Sequence, residues 1–128
     1  MDAAKTHGAF SWSELMTPDP QAAVAFYSQL FGWGSKDMDM GTGAYHVQSV
    51  GEQMVAGIMG MPPNAPPGMP PTWGVYVTVD NVDDTVAKCA ELGGKVCLAP
   101  MEIPGVGRMA VIQDPQGATL NIMTYSNG

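Results

Sequence analysis

One pattern occurs twice in this chain: a strand, a capping residue, an amphipathic helix and a glycine that ends the helix. In the first copy Asp19 is the capping residue, Pro20 takes the first helical position and Gly32 ends the helix. In the second copy, 62 residues later, Asn81 takes the place of Asp19 and Gly94 that of Gly32. Such a repeat indicates two copies of one supersecondary unit that close a core together.

Each copy continues with three more strands, so each module is predicted to be strand, helix, strand, strand, strand. Apolar or alternating runs bounded by glycine and proline indicate the strands, and apolar residues at a helical period indicate the helices. The predicted strands cover 10–16, 33–40, 44–50, 53–59, 73–79, 95–99, 108–113 and 118–123, and the predicted helices cover 20–31 and 82–92.

A proline-rich stretch separates the two copies. Six of the eleven prolines lie in residues 61–72, in three pairs, and such a segment is stiff and extended. We therefore predict one domain over 1–128, with module one at 9–60, a linker at 61–72 and module two at 73–125. Residues 1–8 are predicted to form a loose tail.

The composition excludes several classes of protein. Hydrophobic residues make up 45% of the chain and charged residues 13%, which favours a packed globule over a disordered chain. The net charge is −7 with only five Lys and Arg, so no nucleic-acid partner is expected. No apolar run approaches the ~20 residues that span a bilayer, and the first residues lack the apolar core of a signal peptide. We therefore predict a cytoplasmic protein with no membrane partner.

The doubled module resembles the vicinal oxygen chelate superfamily, which includes glyoxalase I, extradiol dioxygenases, bleomycin- and fosfomycin-resistance proteins and methylmalonyl-CoA epimerase. The residues that carry the resemblance are Phe26, Tyr27, Leu30, Phe31, Gly32 and Trp33 in the first module and Asp114, Pro115, Gln116 and Gly117 in the second. The resemblance implies an α+β fold in which two βαβββ modules form a curled mixed-sheet cup around a small-molecule ligand. It also implies a homodimer.

Metal-using members of this superfamily place His, Gln or Glu ligands on the first and fourth strand of each module. The corresponding positions in this chain are Trp12, Gly74, Met59 and Asn121. An indole, a glycine, a thioether and a neutral amide cannot together hold a catalytic divalent ion. We therefore predict that the chain has no metal site and no cofactor. If the strand register is misread, Glu14 enters the ligand set, and a metal-dependent glyoxalase or dioxygenase is the alternative.

Glu14 is a carboxylate in a row of large apolar residues. Strand alternation places it on the same face as Trp12 and Met16. A carboxylate in an apolar cup can act as an acid or a base, or it can anchor a cationic group. Glu14 is therefore the centre of the predicted site.

The remaining candidates come from the repeat. A shift of 62 residues pairs Glu14 with Tyr76 and His46 with Arg108. Aromatic residues could line the cup, and Arg108 could neutralise Glu14 or hold an anionic ligand group. The predicted catalytic residues are Glu14, Tyr76, His46 and Arg108, and the predicted ligand-binding residues are Trp12, Met16, Met59, Trp73 and Asn121.

Three functions fit this pattern. The one we predict is a metal-free small-molecule-binding protein of the glyoxalase/bleomycin-resistance type, and the acidic charge balance suits a cationic or amphipathic ligand. The second is a metal-independent enzyme of the lyase or isomerase type that uses Glu14 as acid or base. The third is a structural subunit whose cup is filled by its own side chains, such as Trp12, Met16 and Met59.

Overall fold

The computed structural model describes residues 1–39, 44–61, 65 and 67–126. The helices and strands are a 3₁₀ helix at Ala3–Lys5, β1 at Phe10–Thr17, α1 at Pro20–Phe31, β2 at Gly34–Asp39, β3 at Ala44–Val50, β4 at Gln53–Gly60, β5 at Thr72–Thr78, α2 at Val82–Glu91, β6 at Lys95–Ile103, β7 at Gly107–Gln113 and β8 at Thr119–Tyr125. The predicted α+β class with two βαβββ modules is confirmed. Residues 40–43, which end the second predicted strand and connect it to the third, and part of the predicted linker lie outside the described residues.

Both helix starts follow from local side-chain chemistry. The Asp19 carboxylate accepts a hydrogen bond from the Ala22 backbone N–H (3.1 Å), and the Asn81 side chain accepts one from the Asp84 N–H (2.9 Å). Each cap satisfies a backbone donor that the helix itself leaves unpaired. Gly32 follows α1 in the left-handed conformation (φ 76°), which only glycine adopts without strain. The predicted caps Asp19, Asn81 and Gly32 are confirmed. Helix α2, however, ends at Glu91 with Leu92 as its C-cap, and the glycine with positive φ (91°) there is Gly93 and not the predicted Gly94.

The chain forms two compact units, one of residues 12–74 and one of residues 1–11 and 75–128. In the 12–74 unit the strand order is β2-β3-β4-β1, with β1 parallel to β4 and the other pairs antiparallel. Leu15 of β1 pairs with Ile58 of β4, and both are buried. Pro20 at the start of α1 lies beside Gly60. Gly60 and Ile58 share a face, so α1 covers the face of Leu15 and Ile58.

The 75–128 unit repeats this arrangement with the order β5-β8-β7-β6 and a parallel β5–β8 pair. Its core is made of Val79, Val82, Ala110 and Ile122, and Val82 joins α2 to the sheet. The outermost strand, β6, runs four residues further than predicted, through Pro100. Proline is tolerated there because an outer strand has one side without a ladder partner.

The N-terminal residues are not a loose tail, and that prediction is wrong. Asp2 caps the 3₁₀ helix by accepting a hydrogen bond from the Ala4 N–H. The Gly8 N–H donates to the Thr78 carbonyl (2.7 Å), and the Thr78 N–H donates to the Ala9 carbonyl (2.9 Å). The segment therefore pairs with β5. A polar sequence such as this gives no local signal of a pairing made with residues about 70 positions away.

Strand pairing corrects which residues of the two modules are equivalent on their third and fourth strands. Glu14 lies opposite Gly57 on β4, whereas Tyr76 lies opposite Asn121 on β8. Because Glu14 and Tyr76 are equivalent, Asn121 is equivalent to Gly57 and not to Met59 as predicted.

The same correction changes the residue of the second module that is equivalent to His46. Val47 pairs with Gly57 and Val111 pairs with Asn121, so His46 is equivalent to Ala110 and not to Arg108. The spacing is 64 residues here and 62 at the helices. The main cause is two register shifts in β6. The equivalent strand pair of the first module, β2–β3, has no such shift. Bulges add residues to a strand, so one fixed spacing cannot hold over a whole module.

Candidate functional site

One face of the four-stranded sheet in the 12–74 unit gathers most of the predicted ligand residues. Trp12, Glu14 and Met16 alternate along β1 and share this face. Met59 lies opposite Met16, and Tyr45 of β3 lies opposite Met59. These are the side chains that the sheet presents on the side away from α1.

A directional chain of hydrogen bonds connects three of them. The Trp12 indole N–H donates to the Tyr45 hydroxyl oxygen (2.8 Å), and the Tyr45 hydroxyl donates to Glu14 Oε2 (2.6 Å). An indole N–H can only donate, so the Tyr45 proton is left for the carboxylate. The length of the second bond is typical of a hydroxyl donating to an ionised carboxylate. The chain therefore holds Glu14 in one position.

Gly57 makes the contact between Tyr45 and Glu14 possible. β3 and β1 are not neighbours, because β4 lies between them. The Tyr45 ring passes over β4 at Gly57, where a Cβ atom would overlap the phenol ring. A glycine within a strand often marks such a close approach. Sequence reasoning gave no role to Gly57, although this isolated glycine between apolar residues was a signal that could have found it.

His46 is next to Tyr45 in β3 and therefore lies on the opposite face of the sheet from Glu14. It is buried, and its Nδ1 is 2.6 Å from Asp37 Oδ1 on β2. Its strand partner on β4 is the buried Ile58. The structure does not bring His46 to Glu14. His46 is instead hydrogen-bonded to Asp37 and lies on the side of the sheet that α1 covers.

Arg108 makes two ion pairs in the 75–128 unit. Its guanidinium holds Asp83 through two hydrogen bonds (2.7 and 2.9 Å) and Glu102 through one (3.3 Å). The Arg108 hydrogen bond keeps the pKa of the Asp83 carboxyl below its ordinary value, and the Asp83 hydrogen bond raises the pKa of Arg108. A two-point contact of this kind fixes α2 to β7.

Replacing Asp83 by asparagine is expected to reduce stability slightly at neutral pH and not at low pH. A carboxyl whose pKa is lowered in the folded state stabilises above its unfolded pKa, and that contribution is lost as the pH falls through the folded pKa. The melting temperatures of Asp83→Asn and wild type should therefore begin to converge only when the pH falls below the ordinary Asp pKa of about 3.9. Thermal unfolding between pH 7 and pH 2.5 measures this. Parallel curves over that range would contradict it, and Asp84→Asn is the matched control.

The other predicted residues take two different places. Tyr76 is buried and lies opposite Asn121, so these two are brought together in the 75–128 unit. Trp73 lies in the 12–74 unit, where its indole N–H donates to the Tyr27 hydroxyl of α1 (3.1 Å). Its ring also packs edge-on against Trp33, so Trp73 and Trp33 belong to one aromatic cluster with Tyr27 of α1.

The four positions at which the family resemblance implies metal ligands do not suit a metal ion. With the corrected register they are Trp12, Gly57, Gly74 and Asn121, and two of the four have no side chain beyond Cα. A divalent ion of this family's type needs imidazole or carboxylate ligands. Among the residues that the structure describes, no group of three or more His, Cys, Asp or Glu could hold a metal ion.

A groove of about 450 Å³ lies elsewhere, on the 75–128 unit between α2 and the turn after β7. None of the nine predicted site residues lines it. The predicted site residues and this groove therefore do not coincide, and we place more weight on the hydrogen-bonded chain around Glu14. Within the described residues, no helix has the length and apolar character of a membrane span.

Comparison with known proteins gives a consistent result. The family model described as Glyoxalase/Bleomycin resistance protein/Dioxygenase superfamily matches residues 9–122. The CFP32 protein of Mycobacterium tuberculosis, which is named as a glyoxylase, is 43% identical over 117 residues, covering 90% of this chain and 45% of that protein. The anthracycline biosynthesis protein DnrV of Streptomyces peucetius is 35% identical over 127 residues, covering 90% and 46%. This chain thus spans less than half the length of these relatives.

Solved structures share the fold. Methylmalonyl-CoA epimerase from Mycobacterium tuberculosis superposes with a TM-score of 0.67 at 11% sequence identity, covering 93% of this chain and 89% of that chain. Identity this low supports the predicted architecture and carries no information on the reaction.

Proposed function

Because the chain belongs to the Glyoxalase/Bleomycin resistance protein/Dioxygenase superfamily, we propose that it is a small-molecule-binding protein of the glyoxalase/bleomycin-resistance type that works without the family metal. The ligand binds on the sheet face of Trp12, Tyr45 and Glu14. The observation that carries this proposal is the hydrogen-bonded chain from the indole through the phenol to the carboxylate. A carboxylate held in one position beside aromatic rings is a preorganised binding group.

The chemistry of the face points to a cationic, aromatic ligand. Glu14 supplies the counter-charge, and the indole of Trp12 supplies a flat apolar surface that also attracts cations. Met16 and Met59 are flexible and polarisable, so they can fit ligands of different shapes. The net charge of −7 draws cations towards the protein. By analogy with the relatives named for glyoxylase function and for anthracycline biosynthesis, the ligand is a small organic molecule.

A second function has one observation in its favour. The Tyr45 hydroxyl lies within hydrogen-bonding distance of Glu14, so a proton donor stands beside a possible base. In this alternative the chain is a metal-independent lyase or isomerase, and Glu14 moves a proton. We favour binding because a hydrogen bond that stabilises the charged carboxylate makes it a better anchor and a weaker base. The catalytic roles predicted for Tyr76, His46 and Arg108, which would polarise a substrate beside the base Glu14, belong to this alternative.

The proposal is tested with two dyes and an elemental analysis. Proflavine, a cationic aromatic dye, is expected to bind at one site per chain and at least about tenfold more tightly than the anionic dye 1-anilinonaphthalene-8-sulfonate. Fluorescence titration measures both. Protein purified without chelator is expected to contain no stoichiometric zinc, nickel, manganese or iron. A full equivalent of any of these metals, or equal affinity for the two dyes, contradicts the proposal.

The predicted homodimer and the predicted cytoplasmic location are part of this proposal. Both rest on the sequence and on the family, and neither is needed for the ligand site.

A further inference from the structure

A lysine lies on the same face of the sheet as Glu14, in one row across the four strands. Lys36 of β2 is opposite Val47 of β3. Val47 is opposite Gly57 of β4, and Gly57 is opposite Glu14 of β1. Residues that lie directly opposite one another on paired strands point to the same side of a sheet. The row therefore begins with a cation on the outer strand and ends, three strands away, with the carboxylate of the proposed ligand site.

The charge of Lys36 is not used within the described structure. Lys36 is the only Lys or Arg in residues 12–74, and its side chain is exposed. Within the part of the chain that the structure describes, no carboxylate forms an ion pair with it. The adjacent Asp37 points to the opposite side of the sheet, where it is hydrogen-bonded to His46. Lys36 is therefore available to a ligand on the face of Glu14.

The surface between the two charges is apolar. The next row on the same face consists of Met38, Tyr45, Met59 and Met16. The Tyr45 ring extends from that row over Gly57, so it lies between the lysine and the carboxylate. An aromatic ring offers a flat contact surface, and methionine side chains adapt to ligands of different shape. An elongated apolar molecule can therefore rest on this surface with one end at each charge.

The strand spacing sets the distance between the charges. Neighbouring strands are ~4.8 Å apart, so three steps separate the Cα atoms of Lys36 and Glu14 by about 14 Å. The Glu14 carboxylate is held towards Tyr45 by its hydrogen bond. The long apolar stem of a lysine can lie along an apolar surface while its ammonium group stays in water. Together the two side chains fit a ligand whose charged groups are roughly 8–12 Å apart.

We propose that the ligand of this face is a zwitterion, an aromatic cation that also carries an anionic group such as a carboxylate on an arm. Lys36 binds the anionic group, and Glu14 binds the cation. Because Glu14 and its aromatic neighbours remain the site of the cation, this proposal rests on the proposed function. The net charge of −7 attracts cations in general. Selection of a ligand that bears a negative group requires a local cation, which Lys36 supplies.

Two dyes that differ by one charge provide the test. Both contain the cationic ring system of acridine orange; one carries a carboxypentyl arm on the ring nitrogen, and the other is the methyl ester of the first. Wild type is expected to bind the acid about threefold to fivefold more tightly than the ester, the range of an exposed ion pair. The negative charge of the protein acts in the opposite direction, so it cannot produce this preference. Fluorescence titration gives the dissociation constants.

Three variants locate the source of the preference. Lys36→Met keeps an unbranched apolar side chain without the charge, and it should bind acid and ester with equal affinity. Lys36→Glu should bind the ester more tightly than the acid. Lys95→Met is the matched control, because Lys95 is exposed on the other outer strand, β6, and its loss changes the net charge equally. Lysine on an outer strand also discourages pairing with other chains, and this control removes the same protection. Lys95→Met should keep the preference for the acid.

Three results overturn the inference: equal affinity of wild type for acid and ester, a preference for the acid that Lys36→Met retains, or a preference that Lys95→Met abolishes equally. Proflavine, which has no anionic group, tests the proposed function separately through wild type and Glu14→Gln. If proflavine binding depends on Glu14 while acid and ester bind wild type alike, the ligand is a simple cation and only the present inference fails. If proflavine binding does not depend on Glu14, the proposed function fails and the inference fails with it.

Discussion

Proflavine is expected to bind about 10- to 100-fold more weakly when Glu14 is replaced by glutamine. Glutamine has the size of glutamate and still accepts the Tyr45 hydroxyl, so the site keeps its shape. What is lost is the negative charge, and a hydrogen bond to a charged group is worth about 1.5–3 kcal/mol, which corresponds to this factor. Fluorescence titration of wild type and Glu14→Gln gives the two dissociation constants.

Glu52 supplies the control. It is exposed in the turn between β3 and β4, and Glu52→Gln makes the same change in net charge. If both variants lose affinity equally, the effect comes from the overall charge of the protein, and Glu14 is not the anchor. A neutral aromatic ligand should bind wild type and Glu14→Gln alike. If the chain is instead an enzyme that uses Glu14 as its base, turnover falls by about 10²–10⁴ in the same variant.

Adding one methyl group at Gly57 is expected to disable the site and to destabilise the 12–74 unit. The new Cβ would overlap the Tyr45 phenol ring, so the ring must leave its place and its hydrogen bonds to Trp12 and Glu14 are broken. Overpacking of this kind costs about 1–3 kcal/mol. Gly57→Ala should therefore unfold at a lower urea concentration, and its proflavine affinity should fall to that of Tyr45→Phe.

Gly60→Ala is the matched control for this experiment. Gly60 lies in the same strand, and a Cβ there would be 3.9 Å from Pro20, an ordinary van der Waals contact. It should change stability by less than about 0.5 kcal/mol. A Gly57→Ala variant that keeps wild-type stability and dye affinity would show that the Tyr45 ring does not depend on the space above Gly57.

The features that the sequence predicted well are local ones. The caps at Asp19 and Asn81 depend on a side chain and a backbone N–H three residues away, so the information lies within one turn of helix. The alternation that puts Glu14 with Trp12 and Met16 is equally local. These features gave the α+β class and the centre of the candidate site.

The predictions that failed concern which residues lie opposite each other on neighbouring strands. Register is set by bulges, and the two shifts in β6 cannot be seen as a break in its apolar pattern. This is why Met59 was assigned in place of Gly57 as the equivalent of Asn121. Tyr45 and His46 show the same limit, because alternation requires that they face opposite sides and does not say which one faces Glu14.

The contact of Tyr45 over Gly57 also limits how this site can evolve. Positions 45 and 57 are twelve residues apart and lie on neighbouring strands, but neither can change freely while the other is kept. A larger residue at 57 is compatible only with a smaller one at 45, and then Glu14 loses its hydroxyl donor. We therefore expect the three positions to be substituted together among related chains. A chain that exchanges the glycine should carry a different polar group near position 14 and bind a different kind of molecule.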